Sequence, residues 1–141
     1  MLAELEGLRG GIVGLDPASG HELWRASADQ NYNGWVIDGS AFYAQGNEGR
    51  LSAFNLTDGS LRWSAQNVFA MFVSAGGGLA FAIGSVGGTD PSSPGGLIAM
   101  SATDGQTAWI TRPRTNESFP TTATANDDSV FLTFSNLAPT D

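Results

Sequence analysis

Apolar residues in this chain come in short runs, and nearly every run is closed by glycine, proline, asparagine or aspartate. Ile12-Val13-Gly14-Leu15 leads into Asp16-Pro17-Ala18-Ser19-Gly20, and His21 to Ala26 returns with Trp24. Pro17 is costly inside a helix and suits a turn, so this segment reads as a hairpin. Trp35-Val36-Ile37 and Ala41-Phe42-Tyr43-Ala44 flank Asp38-Gly39, a strong local hairpin signal. Ala70 to Val73 and Leu79 to Ile83 flank Gly76-Gly77-Gly78 in the same way, as do Phe119 to Ala125 and Val130 to Phe134 around Asn126-Asp127-Asp128. Leu2, Leu5 and Leu8 have the spacing of either a frayed helical turn or a strand stub.

One of these patterns occurs three times, at residues 10–24, 49–63 and 95–109. Each copy opens on Gly and carries a second Gly four residues before a Trp. Ile12, Leu51 and Leu97 share one position, and Gly14, Ala53 and Ala99 another. Successive Trp residues are 63 − 24 = 39 and 109 − 63 = 46 residues apart, with four predicted strands in each interval. A four-stranded repeat of that length is the mark of a β-propeller blade. Phe42 and Phe81 each lie 18 residues after the preceding Trp, which places them in register, with Phe131 as their counterpart further on. The surplus of the longer interval then falls after Phe81, in the polar loop 85–94. The predicted fold is all-β: residues 1–141 form one partial β-propeller domain with four-stranded antiparallel blades, two whole and flanked by two half-blades.

Backbone physics accounts for the repeat. The second Gly permits a positive φ. The Asp or Asn four residues earlier accepts backbone N–H groups and holds the turn. The Trp has the area to seal a joint between neighbouring blades, with a carbonyl there for its indole N–H.

Composition narrows the function classes. The net charge of −8, with six Arg and no Lys, repels phosphate backbones and anionic membranes. Without Cys and with His21 as the one histidine, a zinc site of His and Cys ligands cannot be assembled. No stretch reaches the length of a membrane-spanning helix, and Met1 to Leu8 is too short and acidic for a signal peptide.

Gly14-Leu15-Asp16 through Ser19-Gly20 to Trp24 resembles the quinoprotein-type propeller repeat, roughly Ala-x-Asp-x-x-Thr-Gly-x-x-x-Trp. Ala53-Phe54-Asn55 through Asp58-Gly59 to Trp63 and Ala99-Met100-Ser101 through Asp104-Gly105 to Trp109 are similar to it. That family includes pyrroloquinoline-quinone-dependent alcohol and glucose dehydrogenases. The repeat also resembles that of the periplasmic lipoprotein scaffold of the outer-membrane β-barrel assembly machinery, and of sensor domains fused to bacterial kinases. Fold does not carry function across such relatives.

The enzymes resembled hold Ca²⁺ beside the quinone with carboxylate and amide oxygens and use an Asp as base. Asp29, Asn31, Asn33, Asp38, Asn126, Asp127 and Asp128 are ligands of the right hardness, but none sits in a recognisable Ca²⁺ loop and turn chemistry explains them. The adjacent-cysteine disulfide of the alcohol dehydrogenases has no counterpart here. Trp35 lies on a first strand, where a propeller's central channel runs; stacking on a planar ligand competes with simple channel filling. His21 reads as a solvated turn residue rather than a base. Asn55 and Asn116 begin glycosylation-type triplets, a short pattern that recurs by chance.

No catalytic, cofactor-binding or metal residue is therefore assigned. The expected function is a non-catalytic binding or scaffold module of the cell envelope, with loops 85–94 and 112–118 facing a protein partner in the periplasm or exterior. The alternative is a piece of a quinone-dependent dehydrogenase using pyrroloquinoline quinone with Ca²⁺. The open half-blades imply either an excerpt of a longer propeller, the reading preferred here, or a homodimer that completes them.

Overall fold

The computed structural model describes residues 11–27, 32–46, 49–65, 68–86, 96–111 and 120–134. The strands, in chain order, are β1 (Gly11–Leu15), β2 (Glu22–Ser27), β3 (Tyr32–Asp38), β4 (Ala41–Gly46), β5 (Leu51–Asn55), β6 (Leu61–Ser64), β7 (Val68–Gly76), β8 (Leu79–Val86), β9 (Gly96–Ser101), β10 (Thr107–Thr111), β11 (Pro120–Ala125) and β12 (Val130–Phe134). They form four antiparallel sheets of sequential strands: β1–β2, β3–β6, β7–β10 and β11–β12. The predicted order of a half-blade, two whole blades and a half-blade is what the molecule shows. The tight β3–β4 and β7–β8 turns rest on Gly39 at φ 59° and on Gly77 and Gly78 at φ 61° and 78°, values that L side chains rarely adopt.

The core lies between sheets. Ile12, Phe42, Ala44 and Phe54 fill the joint between β1–β2 and β3–β6, with Trp24 packed against them. Tyr43, Ala53, Trp63, Ala82 and Ile98 belong to the joint between the two whole blades. Phe81, Ile83, Leu97 and Ala99 meet Val130 and Leu132 at the last joint. Alternation along each strand sends one set of side chains to the preceding blade and the other to the following blade. Whole-blade strands β4, β5, β8 and β9 are therefore buried on both faces and read as continuous apolar runs.

Pairing corrects one sequence expectation. Across β4–β5 it is Tyr43 that faces Ala53, whereas across β8–β9 Phe81 faces Ala99. Ala53 and Ala99 are equivalent in the repeat, so Phe81 corresponds to Tyr43 and not to Phe42. Phe42 lies one residue away on the opposite face, stacked on Trp24 of the preceding sheet with centroids 6.1 Å apart. Phe131 keeps the predicted equivalence with Phe81: the Asn126 N–H donates to the Ser129 carbonyl, which sets Asn126 and Ser129 level with the paired Gly76 and Leu79. Counting from Trp missed a one-residue difference before β4, and a one-residue slip exchanges the faces of a strand. The connection between β8 and β9 is correspondingly 18 − 10 = 8 residues longer than that between β4 and β5, counted from Phe81 to Ala99 and from Tyr43 to Ala53.

Trp63 is 8% exposed in the central joint. Trp63→Ala is expected to destabilise the chain by about 3–5 kcal/mol, read from the shift in urea midpoint.

Candidate functional site

Each repeat turn is closed by its own backbone. The Gly20 N–H donates to the Asp16 carbonyl at 2.7 Å, Gly59 to Asn55 at 2.9 Å and Gly105 to Ser101 at 2.8 Å. All three glycines sit at φ 74°. Asp16 accepts from the Ala18 N–H (3.0 Å) and the Ser19 hydroxyl (2.7 Å), as the sequence predicts. Asn55 differs: its amide donates to the Ser60 hydroxyl while its oxygen accepts from Arg62, which also reaches the Ser40 carbonyl and hydroxyl. The sequence carried no signal for Arg62, since the place before Trp is held by Leu23 and Ala108 in the other copies. Asp58 and Asp104 stand just before the turn glycine in the repeat, and the structure gives them a role the sequence did not: their carboxylates accept the N–H of the residue beyond the turn, Ser60 at 2.9 Å and Gln106 at 3.0 Å.

The turn of one blade is the seat of the preceding blade's tryptophan. Trp24 donates its indole N–H to the Leu56 carbonyl at 3.0 Å, and Trp63 to the Ala102 carbonyl at 2.9 Å. Both acceptors stand three residues before the turn glycine. A Cβ added at Gly59 would strike the Trp24 ring, and one at Gly105 would lie 2.6 Å from Trp63 Cε3. The repeat glycine thus provides space as well as backbone freedom. Within its own sheet each Trp faces a small residue, Trp24 opposite Gly14, Trp63 opposite Ala53 and Trp109 opposite Ala99. A register shift next to that pair leaves Leu23, Arg62 and Ala108 unpaired in the ladder, a bulge that aims the ring at the joint.

The first joint is only part-filled. Among the described residues a groove of about 520 Å³ opens between β1–β2 and β3–β4, and its wall includes Val13, Leu15, Leu23, Trp35 and Ile37. All five are exposed. Trp35 therefore lines this groove, its ring 5.8 Å from Tyr32 and 5.9 Å from Phe42.

The candidate ligands do not converge. Asp29 and Asn31 lie outside the described residues, as does the Asn33 side chain. Asp38 ends β3. Asn126 accepts the N–H groups of Asp128 and Ser129, both at 2.8 Å, while Asp127 accepts the Gly77 N–H across the last joint at 3.2 Å. Asp128 is exposed in that turn. His21 follows Gly20 on the surface, its carbonyl accepting the Asp16 N–H. Among the described residues no group of three His, Asp or Glu is placed to hold a metal ion. Among the described residues these donors do not come together as the ligand set of a Ca²⁺–quinone pair. Residues 87–94 and 112–118 of the two candidate partner loops, and Asn116, lie outside the described residues.

Electrostatics follow the turns. Hydrogen bonds from the Ala18 N–H and the Ser19 hydroxyl hold the Asp16 carboxyl below its usual 3.8. The Ser60 hydroxyl and N–H lower that of Asp58. The exposed Glu22–Arg25 pair, at 2.7 Å, contributes little to stability.

Gly105→Ala should destabilise more than Gly20→Ala. Both accept the αL cost of roughly 1–2 kcal/mol, but only Gly105 adds an overpacking cost of about 1–3 kcal/mol against Trp63; urea titration of the two variants measures the difference. Acid is expected to weaken the fold. A carboxyl with a depressed folded pKa contributes stability above its unfolded value that is lost as pH falls through the folded one. The urea midpoint should drop on acidification below 3.8, and Asp58→Ala should flatten that drop.

Comparison with known proteins agrees with this geometry. No match is found among curated protein sequences. BamB from Moraxella catarrhalis superimposes with a TM-score of 0.61 at 19% identity, over 87% of this chain and 36% of that one. The quinohemoprotein alcohol dehydrogenase of Comamonas testosteroni gives a TM-score of 0.56 at 15% identity, over 73% of this chain and 18% of the enzyme. One from Pseudomonas putida HK5 gives 0.57 at 18%, over 75% and 18%. These likenesses show the fold, and the chain spans about a third of the BamB chain or less than a fifth of each dehydrogenase. The family model for outer membrane protein assembly factor BamB matches residues 8–138, and the chain belongs to that family of quinoprotein-type β-propellers.

Proposed function

We propose that this chain is a non-catalytic protein-binding module of cell-envelope assembly, acting outside the inner membrane as a rigid stack of blades. One observation carries the reading. The polar groups that a dehydrogenase would turn on a cofactor are here committed to closing the chain's own turns. Asp16, Asp58, Asp104 and Asn126 each hold backbone N–H groups within three residues, and Asp127 ties two hairpins together. Leu23, Leu61, Ile110 and Phe131 are large apolar side chains exposed on the described surface. A surface of that kind suits protein association better than polar catalysis. Membership of the BamB family supports the envelope setting. Loops 85–94 and 112–118 are the proposed contact with the partner, since irregular connections on a rigid scaffold are where recognition is usually placed.

The test sets this reading against a quinone-dependent dehydrogenase. Titration with pyrroloquinoline quinone and Ca²⁺ should give no saturable absorbance change and no dye-linked alcohol oxidation. A photo-crosslinker at Thr89 or Thr115 should capture a defined envelope protein in cells. Saturable quinone binding with turnover would overturn the proposal.

A further inference from the structure

We propose that Asp38 is a self-modifying site, which converts to isoaspartate through a cyclic imide with Gly39, and that this change loosens the seat of Trp24.

The chain has three Asp-Gly pairs, Asp38-Gly39, Asp58-Gly59 and Asp104-Gly105. In such a pair the glycine nitrogen can approach the aspartate Cγ, because no Cβ obstructs it and the glycine backbone turns freely. A bond forms from that nitrogen to Cγ, the Cγ–OH bond breaks, and the hydroxyl leaves with the amide proton as water. A second water then opens the five-membered imide at either carbonyl. One opening restores aspartate. The other gives isoaspartate, whose main chain runs through the former side-chain carbonyl and is longer by one methylene. Water is the only co-reactant, and nothing is oxidised or reduced.

The fold treats the three pairs unequally. The Gly59 and Gly105 N–H groups are bonded to the Asn55 and Ser101 carbonyls at 2.9 and 2.8 Å. The Asp58 carboxylate accepts the Ser60 N–H and hydroxyl, and that of Asp104 accepts the Gln106 N–H. Both reacting groups are thus engaged, and each of these glycines is pinned beneath a tryptophan ring. Asp38-Gly39 is instead at the tip of the β3–β4 hairpin, where β3 ends. Among the described residues nothing hydrogen-bonds to the Gly39 N–H or to the Asp38 carboxylate. Gly39 is exposed, and a Cβ added to it meets nothing within 4 Å. Its peptide can rotate toward Cγ without first breaking a bond of its own N–H.

The product acts through the next residue. The Ser40 carbonyl accepts the Leu56 N–H at 3.0 Å, and Arg62 holds both the Ser40 carbonyl and hydroxyl. The Leu56 carbonyl in turn accepts the Trp24 indole N–H. An extra methylene at Asp38 displaces the Ser40 carbonyl and, through Leu56, the seat of Trp24. The other whole blade has the same relay, from the Gly78 carbonyl to the Ala102 N–H and on to Trp63. There Gly76 stands where Asp38 does, so that joint has no reactive side chain in its hairpin.

Peptide mapping after incubation at neutral pH tests this. Cleavage at arginine separates the three sites, because Arg50 divides Asp38 from Asp58 and Arg62 divides Asp58 from Asp104. Isoaspartate is read as a shifted peptide of unchanged mass that accepts a methyl group from an isoaspartyl methyltransferase. Deamidation of the Asn33-Gly34 pair in the same peptide changes the mass and is told apart. In the folded chain Asp38 should react about tenfold or more faster than Asp58 or Asp104, the cost of first breaking their hydrogen bonds. In urea the three should react at similar rates. Asp38→Glu, which cannot close a five-membered ring, should abolish the folded-state signal. The isolated isoaspartyl form should unfold at a lower urea midpoint than the unmodified chain. Equal rates at the three sites in the folded chain overturn the proposal, as does a signal that survives in Asp38→Glu. Coincident urea midpoints overturn the link to Trp24.

Discussion

The seating of Trp24 and Trp63 on the next blade's glycine turn is the contact on which the other features depend. It joins sheets that share no backbone ladder, and it acts through three parts at once. The indole area is removed from water, the indole N–H finds a carbonyl, and the turn glycine leaves room for the ring. A side chain at that glycine meets two obstacles, an unfavourable φ and the ring itself. The small residue opposite each Trp and the bulge beside it serve the same contact from the tryptophan's own sheet.

This arrangement explains where polarity is spent. The turns must present a fixed surface to the incoming ring, so their carboxylates and amides are used to hold backbone N–H groups in place. Side chains that look like ligands in isolation, such as Asp127 and Asn126, are parts of hairpins. The same turns are where acid is expected to act, because the carboxylates that close them are bonded in their charged form.

A repeat of this type buries a face only against its neighbour, so each joint inside the described structure is apolar while each end exposes what a joint would cover. Trp35, Ile37 and Leu15 are exposed at one end of the described structure and Trp109, Ile110 and Phe131 at the other, where the sheets have two strands in place of four.

Sequence alone determined the strand order, the blade periodicity and the identity of the joint tryptophans, because glycine and tryptophan recur at fixed spacing and their local chemistry admits few alternatives. It did not determine which blade face Phe42 occupies. That depends on a one-residue difference in a connection, invisible to counting from a distant Trp, yet enough to turn the side chain from one joint to the next. Nor did it show that the repeat glycine makes room for a ring 35 residues earlier, Trp24 on Gly59, since that demand arises only when two sheets pack. Asp58, Asp104 and Arg62 read as ordinary polar residues until the turns were in place. Tertiary structure decided these matters because pairing register and close approach are properties of two segments together, and neither segment encodes them by itself.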